Sequence, residues 1–414
     1  MKKTLTRLKK LCSVFIIIIM VFGFCACKSD KKEDQKKLNI FLDTTDESSS
    51  EVIKFLIDDF KKNNPDVEIK LNDVLGDKSD IIEAINLGTE VDMIFTNRNT
   101  LIELSKKGVL NDLQDTYDEN TISDRYYDII GSYGRVGDKY YGIGVVPYSI
   151  ELLYNKTNLK KLNISNPNNL KQWLSVLTQI NKKGMKTPVV LTDNVDANGY
   201  LFSLIASKYI NIHEIEDKYD SGEQSYKKLK NVQEIFKEFN SITKDNGITN
   251  NSFELGNKQT VVNFDNGDAQ LLVSISYYNS VLNTGNIGVI GDYDNNSNFG
   301  SNIPIMVNSL LSVPVNAKNT ETVDAFIKYI YSDEVQARIV QKGIISGNKI
   351  ANNKVSGNGK LMVEHIYKAN DNSMLILNNL PEKIKNNLLL TLKRILDGGY
   401  NSKEWEEILK KSYK

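Results

Sequence analysis

Residues 38–71 read LNIFLDTTDESSSEVIKFLIDDFKKNNPDVEIKL, and the spacing of their apolar side chains changes twice along that stretch. Leu38-Asn39-Ile40-Phe41-Leu42 is short and apolar, which predicts a strand. Ser48 and Glu51 then stand at capping-box spacing. Val52, Phe55, Leu56 and Phe60 recur at the period of one helix face, and Asn64-Pro65 stops that helix. Beyond it Val67, Ile69 and Leu71 alternate like a half-buried strand.

The same alternation continues outward. A helix is expected around Ile81 to Leu87, a strand at Val91 to Phe95, and a helix from Leu101 to Lys107 closed by Gly108. Strands alternating with helices predict a parallel sheet covered on both faces, with ligands collecting beyond the carboxyl ends of its strands. Those ends are Asp43 to Asp46 and Thr96 to Asn99. Gly137-Asp138, between Arg135-Val136 and Lys139-Tyr140-Tyr141, is a hairpin turn signal. Farther on, Leu170, Trp173, Leu174 and Leu177 share a helical face, as do Val323, Phe326, Ile327 and Ile330. Pro188 to Leu191 and Leu271 to Ile275 read as buried strands. No long period repeats, which excludes solenoids and propellers.

The full 414 residues are too many for one core, and the length predicts two to three domains. A charged fraction of 25% against 40% hydrophobic argues for a folded soluble body, not a disordered chain or a polytopic membrane protein. Lys2, Lys3, Arg7, Lys9 and Lys10 precede an apolar run from Leu11 to Phe24, the pattern of a secretory signal. Its end, Phe24-Cys25-Ala26-Cys27, resembles the lipobox of bacterial lipoproteins, with Cys27 as the lipidated residue and Phe24 where leucine is usual. Residues 1–26 are therefore read as signal and 27–37 as a lipidated, solvated tether. Removing five basic residues leaves 47 against 52 acidic ones, a formal charge of −5, which argues against nucleic acid as a partner. Cys12 and Cys25 leave with the signal, so no internal disulfide is expected.

Several motifs then stand in a familiar order. They are Asp58-Asp59-Phe60 to Leu71, Val91-Asp92-Met93-Ile94-Phe95, and Gly108-Val109-Leu110-Asn111-Asp112-Leu113. Gly137-Asp138-Lys139-Tyr140-Tyr141-Gly142-Ile143-Gly144-Val145-Val146-Pro147 leads to Leu153-Tyr154-Asn155-Lys156, and Asn263 to Ala269, Ser312 to Asn316 and Thr322 to Gln336 follow. Together, over residues 38–414, they resemble the bacterial extracellular solute-binding proteins, in the branch that includes many sugar-binding proteins of ABC importers. The resemblance implies an α/β, two-lobe periplasmic-binding-protein-like fold of class II, with discontinuous lobes joined by a hinge. The expected division is 38–147 with 290–345 for one lobe and 148–289 with 346–414 for the other. Crossovers are expected near Val145 to Tyr148 and Ile287 to Ile290. It further implies a monomer on the outer face of the cell membrane, with ABC permease subunits as partners, a small solute as ligand and no cofactor.

Little in the sequence points to catalysis. His213 and His365 are the two histidines, each beside a helical pattern, and read as surface or core residues. Asp292-Tyr293-Asp294-Asn295-Asn296 begins like a calcium loop, but Ser297 and Ile303 stand where glycine and glutamate are needed. Gly142-Ile143-Gly144 lacks the third glycine of a dinucleotide fingerprint. Twenty tyrosines are more informative, since sugars stack an apolar ring face on aromatic side chains. Trp173 and Trp405 lie on buried helical stripes and are assigned to cores.

Carried over from the resemblance, Tyr277 follows the pocket strand beside Ser276, Tyr200 follows Gly199, and Tyr148 follows the first crossover. Thr45, Asp46, Asn97, Arg98 and Asn99 are the expected hydrogen-bonding groups of the first lobe. Thr96 and Asn387 replace aromatics of maltodextrin binders, which argues against a long glucan and for a smaller carbohydrate, with a non-sugar solute as the alternative. The alternatives are a surface-anchored hydrolase, whose paired carboxylates no spacing identifies, and a binding-only sensor or adhesin of the same fold.

Overall fold

A computed structural model describes residues 36–44, 46–73, 81, 84–85, 89–192, 195–282, 285–291, 293 and 303–414. The signal, Cys27 and most of the tether lie outside the described residues, as do Thr45 and, from the calcium-like motif, Asp292, Asp294 and Ser297. In chain order the strands are β1 (Lys36–Asp43), β2 (Val67–Asp73), β3 (Met93–Thr96), β4 (Arg135–Val136), β5 (Lys139–Tyr140) and β6 (Ile143–Gly144). Then come β7 (Tyr148–Asn155), β8 (Thr187–Val190), β9 (Phe253–Leu255), β10 (Leu271–Ile275), β11 (Ile287–Val289), β12 (Ile305–Met306) and β13 (Leu310–Ser312). One sheet runs β2-β1-β3-β13-β6; a second runs β11-β7-β10-β8-β9, with β12 also paired to β7.

In the first sheet β1 is parallel to both neighbours, Ile40 facing Leu71 of β2 and Met93 of β3. From Leu38 onward β1 is buried, as expected for a central parallel strand. The helix Glu47–Asn63 turns Val52, Ile53, Leu56, Ile57 and Phe60 inward. Phe60 meets Phe326 and Tyr329 edge-on at centroid distances of 4.8 and 5.0 Å, joining this helix to the helix Thr320–Ile330. The helix begins earlier than Ser48 and Glu51 suggest. Asp46 is its N-cap, accepting from the Ser48 amide at 3.2 Å, and this leaves Glu51 on the exposed side of the helix.

Asp92, in the turn before β3, ties the lobe together. Its carboxylate accepts from the amide and Nδ2 of Asn39, both at 2.8 Å, from the amides of Lys318 and Asn319 at 3.1 Å, and from Asn319 Nδ2 at 2.9 Å. Burial alone raises a carboxyl pKa, but these bonds outweigh it and hold Asp92 below the usual range.

In the second sheet β7 is buried along its whole length. It is antiparallel to β10 and β11, while β8 is parallel to β10 and β9. Trp173 Nε1 donates to the Leu153 carbonyl at 3.3 Å and Trp405 Nε1 to that of Tyr226 at 3.2 Å, so both indoles serve cores as their helical stripes predict. The expected β4–β5 hairpin forms, with Gly137 at a φ of 60°.

The chain passes from the first sheet to the second at 145–147, between β6 and β7. The return differs from the expectation at Ile287 to Ile290. Those residues belong largely to β11, and Ile305 and Met306 still pair with Ser149 and Tyr148, so the passage back lies at 307–309. A third passage leads from the helix Asp333–Gln341 to the helix Asn358–Tyr367, which packs on β7 and β11. Each α/β lobe is thus assembled from separated stretches of chain.

Candidate functional site: the cleft between the sheets

The carboxyl end of β1 runs straight into the N-terminus of the Glu47–Asn63 helix. Asp43 there accepts from Thr96 Oγ1 at 2.8 Å, fixing the end of β1 to that of β3. Asp46 accepts from Ser49 Oγ at 2.6 Å and from Asn308 Nδ2, in the second passage, at 3.3 Å.

Opposite stand residues of the second lobe. Tyr148 opens β7 and is fully buried, its ring edge-on to that of Tyr277 at 5.7 Å. Its hydroxyl, near Ser49 and Asp46, has no well-formed hydrogen bond among the described residues. Burial, with Asp46 adding to it, lifts this phenol well above its usual pKa, so it stays protonated and able to donate. Tyr277 follows β10, is half-buried, stands edge-on to Tyr278 at 5.1 Å, and donates its hydroxyl to Glu51 across the cleft. Burial first, then Glu51, pushes its phenol up as well. Ser276 is buried behind this pair, its Oγ accepting from the Ser149 amide at 3.1 Å.

Beside Tyr277 lies a cavity of about 340 Å³, within the range of small-molecule sites. Glu51, Phe55, Lys258, Tyr277, Tyr278 and Lys342 supply much of its wall. Lys258 Nζ is 3.9 Å from Glu51, and Lys342 Nζ lies 4.3 Å from the centre of the Phe55 ring. Aromatic faces, a carboxylate and two ammonium groups around one cavity suit a ligand that is polar at its edges and apolar on its faces.

The β3 end of the cleft is built differently. Asn97 caps the helix Arg98–Lys106, accepting from the Thr100 amide at 3.1 Å. Arg98 is fully buried: Nε donates to Asn379 Oδ1 at 3.2 Å, Nη1 to the carbonyls of Tyr133 (2.8 Å) and Arg135, and Nη2 to Glu216. Asn99 Nδ2 donates to the Leu380 carbonyl at 2.7 Å. These groups face protein, not the cavity wall. Tyr200 likewise lies apart, buried near Glu151 and Tyr293 behind β7. There Glu151 is bonded to His365 Nδ1 at 2.9 Å and to Ser149 Oγ, so His365 is a core residue. His213 joins Asp371 at 2.7 Å.

Of the residues expected from sequence, Tyr277 lines the cavity, and Asp46, Tyr148 and Ser276 are buried close to it. Asn97, Arg98 and Asn99 gather at the β3 end of the cleft, Tyr200 is elsewhere, and Thr45 lies outside the described residues. Glu51, Phe55, Tyr278, Lys258, Lys342 and Asn308 were not foreseen. Glu51 had been assigned to a cap and Phe55 to the buried face; only the doubled Tyr277-Tyr278 offered a signal. Among the described residues no group of three or more His, Cys, Asp or Glu is placed to hold a metal.

The chain belongs to the bacterial extracellular solute-binding proteins, whose family model matches residues 44–337. Solved structures of the same fold include the GacH receptor of Streptomyces glaucescens, described unliganded and with acarbose. It is 17% identical over 90% of this chain and 96% of its own, with a TM-score of 0.65. The sugar-binding protein MalE of the phytopathogen Xanthomonas citri is 14% identical over 90% and 95%, at 0.66. RafE, in complex with raffinose, is 17% identical over 91% and 98%, at 0.65. At such identities the likeness establishes the fold. Among curated proteins no similar sequence was found.

Proposed function

We propose that the protein is the substrate-binding component of an ABC importer, capturing a small carbohydrate between its lobes and handing it to a membrane permease. The observation that carries this reading is one cavity lined by Tyr277 and Tyr278 from the second lobe and by Glu51 and Phe55 from the first, with the buried Tyr148 packed edge-on behind Tyr277. It offers an aromatic face beside hydrogen-bonding groups, the combination by which a sugar's two kinds of surface are held. The names of the structural neighbours, sugar binders among them, support the ligand class. The lobe division, with 145–147 and 307–309 as hinge segments, belongs to the same proposal, as does hinge closure around the solute.

The protein acts outside the cytoplasm, held to the membrane by lipid on Cys27, a reading that rests on the basic start, the apolar run and Ala26-Cys27. Among the described residues no helix is long and apolar enough to cross a membrane. Cys27→Ala is expected to release the protein into the medium, since buried acyl chains contribute about 0.8 kcal/mol per methylene; fractionation showing unchanged membrane retention would defeat the anchor.

A thermal-shift screen of mono- and disaccharides tests the ligand class. A ligand bound only by the folded state stabilises it by about 2.7 kcal/mol at a hundredfold excess over its dissociation constant. At least one saccharide is expected to raise the melting temperature in a saturable way, and a flat response across the panel would remove carbohydrate from the reading.

A further inference from the structure

We infer that Arg98, Glu216 and Asn379 form a clasp across the β3 end of the cleft, which holds the lobes together there without solute and limits how long a solute the cleft admits. The limit on solute length rests on the solute-binding reading above; the clasp itself does not.

Three observations converge. The first is which parts of the chain are joined. Arg98, Ser132, Tyr133, Arg135 and Gly137 precede the first passage and belong with the first sheet, whereas His213 and Glu216 follow β8 of the second. Asp371 and Asn379 come after the third passage, in a segment whose turn Ile376–Asn379 touches the helices Ala197–Ala206, Ile212–Glu216 and Arg98–Lys106 and which continues into the helix Glu382–Leu396, packed on Ala197–Ala206 and Val232–Asp245 of the second lobe. The bonds of Arg98 to Glu216 and Asn379, of the Gly137 amide to Glu216, and of Asp371 to Ser132 and Arg135 therefore cross between lobes.

The second is saturation. Arg98 uses Nε, Nη1 and Nη2 on four protein acceptors, and the side chains of Arg98 and Glu216 are 0% and 3% exposed. The other Glu216 oxygen accepts from the Gly137 amide at 2.7 Å. A second charged group flanks this pair, with Asp371 bonded to Arg135 at 3.0 Å, to His213 at 2.7 Å and to Ser132. Buried charges are tolerated only when paired and bonded in this way. Because the partners sit on separate lobes, parting the lobes returns each charge to water instead of leaving it stranded in a core. A buried pair of this kind adds little net stability and much geometric selectivity, since it forms in one docked arrangement only.

The third is position. Asn97 to Asn99, the cap and first residues of the helix Arg98–Lys106, follow the end of β3, where an α/β sheet receives ligand. Here that helix start is covered instead, Asn99 bonding the Leu380 carbonyl and Tyr219 donating to the Asn99 carbonyl at 3.4 Å. The described cavity lies at the other end, beside Tyr277. On this proposal, a solute held there and lengthened toward β3 meets the Arg98–Glu216 clasp.

The test compares wild type with the double variant Arg98→Ala/Glu216→Ala, and with Glu216→Gln, which keeps the shape and the bond to Gly137 but removes the charge and decides the matter if the double variant does not fold. Small-angle scattering of solute-free protein reads the clasp. A more compact wild type and an expanded variant are expected; superimposable curves overturn the clasp whatever the ligand proves to be. Calorimetry with galactose, lactose, raffinose and stachyose, and with glucose, maltose, maltotriose and maltotetraose, reads the length limit. Wild type is expected to bind the one- and two-ring members at least about tenfold more tightly than the four-ring members, and the variant to narrow that gap. Equal affinity along either series in wild type, or a gap unchanged in the variant, overturns the length limit. If the scattering differs but none of the eight sugars binds, the clasp stands, and the carbohydrate reading and the length limit drawn from it fall.

Discussion

Asp92 and Glu216 are both buried carboxylates whose oxygens are taken up by protein donors, yet their partners differ in kind. Asp92 gathers Asn39 and the adjacent Lys318 and Asn319, two stretches packed within one lobe. Glu216 gathers Arg98 and the Gly137 amide from the lobe opposite its own. Under the proposed lobe division, the first set cannot separate without unfolding a lobe, whereas the second separates by movement at the passages between lobes. The same chemistry cements a fold in one place and records a docking in the other, and what distinguishes them is the path of the chain between the partners.

The largest effect that sharpens this contrast is expected at Asp92. Asp92→Ala strands two buried donors of Asn39 and three part-buried ones of Lys318 and Asn319, and unmet buried groups cost about 1–3 kcal/mol each before relaxation, so a loss of roughly 3 kcal/mol is expected in urea denaturation. Glu216→Gln is expected to lose far less, because the opened lobes hydrate Arg98. Equal losses for the two would erase the distinction.

The pH dependence follows from the depressed pKa of Asp92. A carboxyl held lower in the folded state than in the unfolded chain stabilises fully above the unfolded value, roughly 3.9, and loses that contribution as pH falls through the folded value. The stability gap between wild type and Asp92→Asn is therefore expected to be widest near neutral pH and to shrink in acid below about pH 4. A gap that is constant or widens in acid contradicts the assignment.

The smallest effect is expected at Tyr200. Its hydroxyl is buried without a well-formed partner among the described residues, so Tyr200→Phe removes a group that gains little from the fold. Stability is expected to stay within about 1 kcal/mol of wild type and solute affinity to be unchanged. A large drop in affinity would return Tyr200 to the binding wall.

Much of the fold was legible because period and punctuation agree. The β1, helix, β2 order was readable from Leu38 to Leu71, and the indoles of Trp173 and Trp405 are buried where their stripes predicted. The site was less legible. Residue type and strand-end position single out Arg98 and Tyr277 alike, but neither tells whether a polar group is already satisfied by protein. Glu216 and Asn379, which satisfy Arg98, lie 118 and 281 residues away in sequence. Local spacing carries no trace of such pairings. Glu51 was obscured for a nearer reason: with Asp46 as the cap, its capping-box spacing to Ser48 was coincidental, and its side chain meets Tyr277 instead.

The central claim, that a solute is held against Tyr277 in the cleft, is tested most directly by titrating wild type and Tyr277→Ala calorimetrically with the best saccharide from the thermal-shift screen. Losing both the apolar burial and the aromatic contact, itself worth roughly 0.5 to 1.5 kcal/mol, is expected to weaken binding about tenfold or more while the melting transition hardly moves. Undiminished affinity in Tyr277→Ala would contradict the account. A collapsed melting transition would assign Tyr277 to the core and contradict it equally.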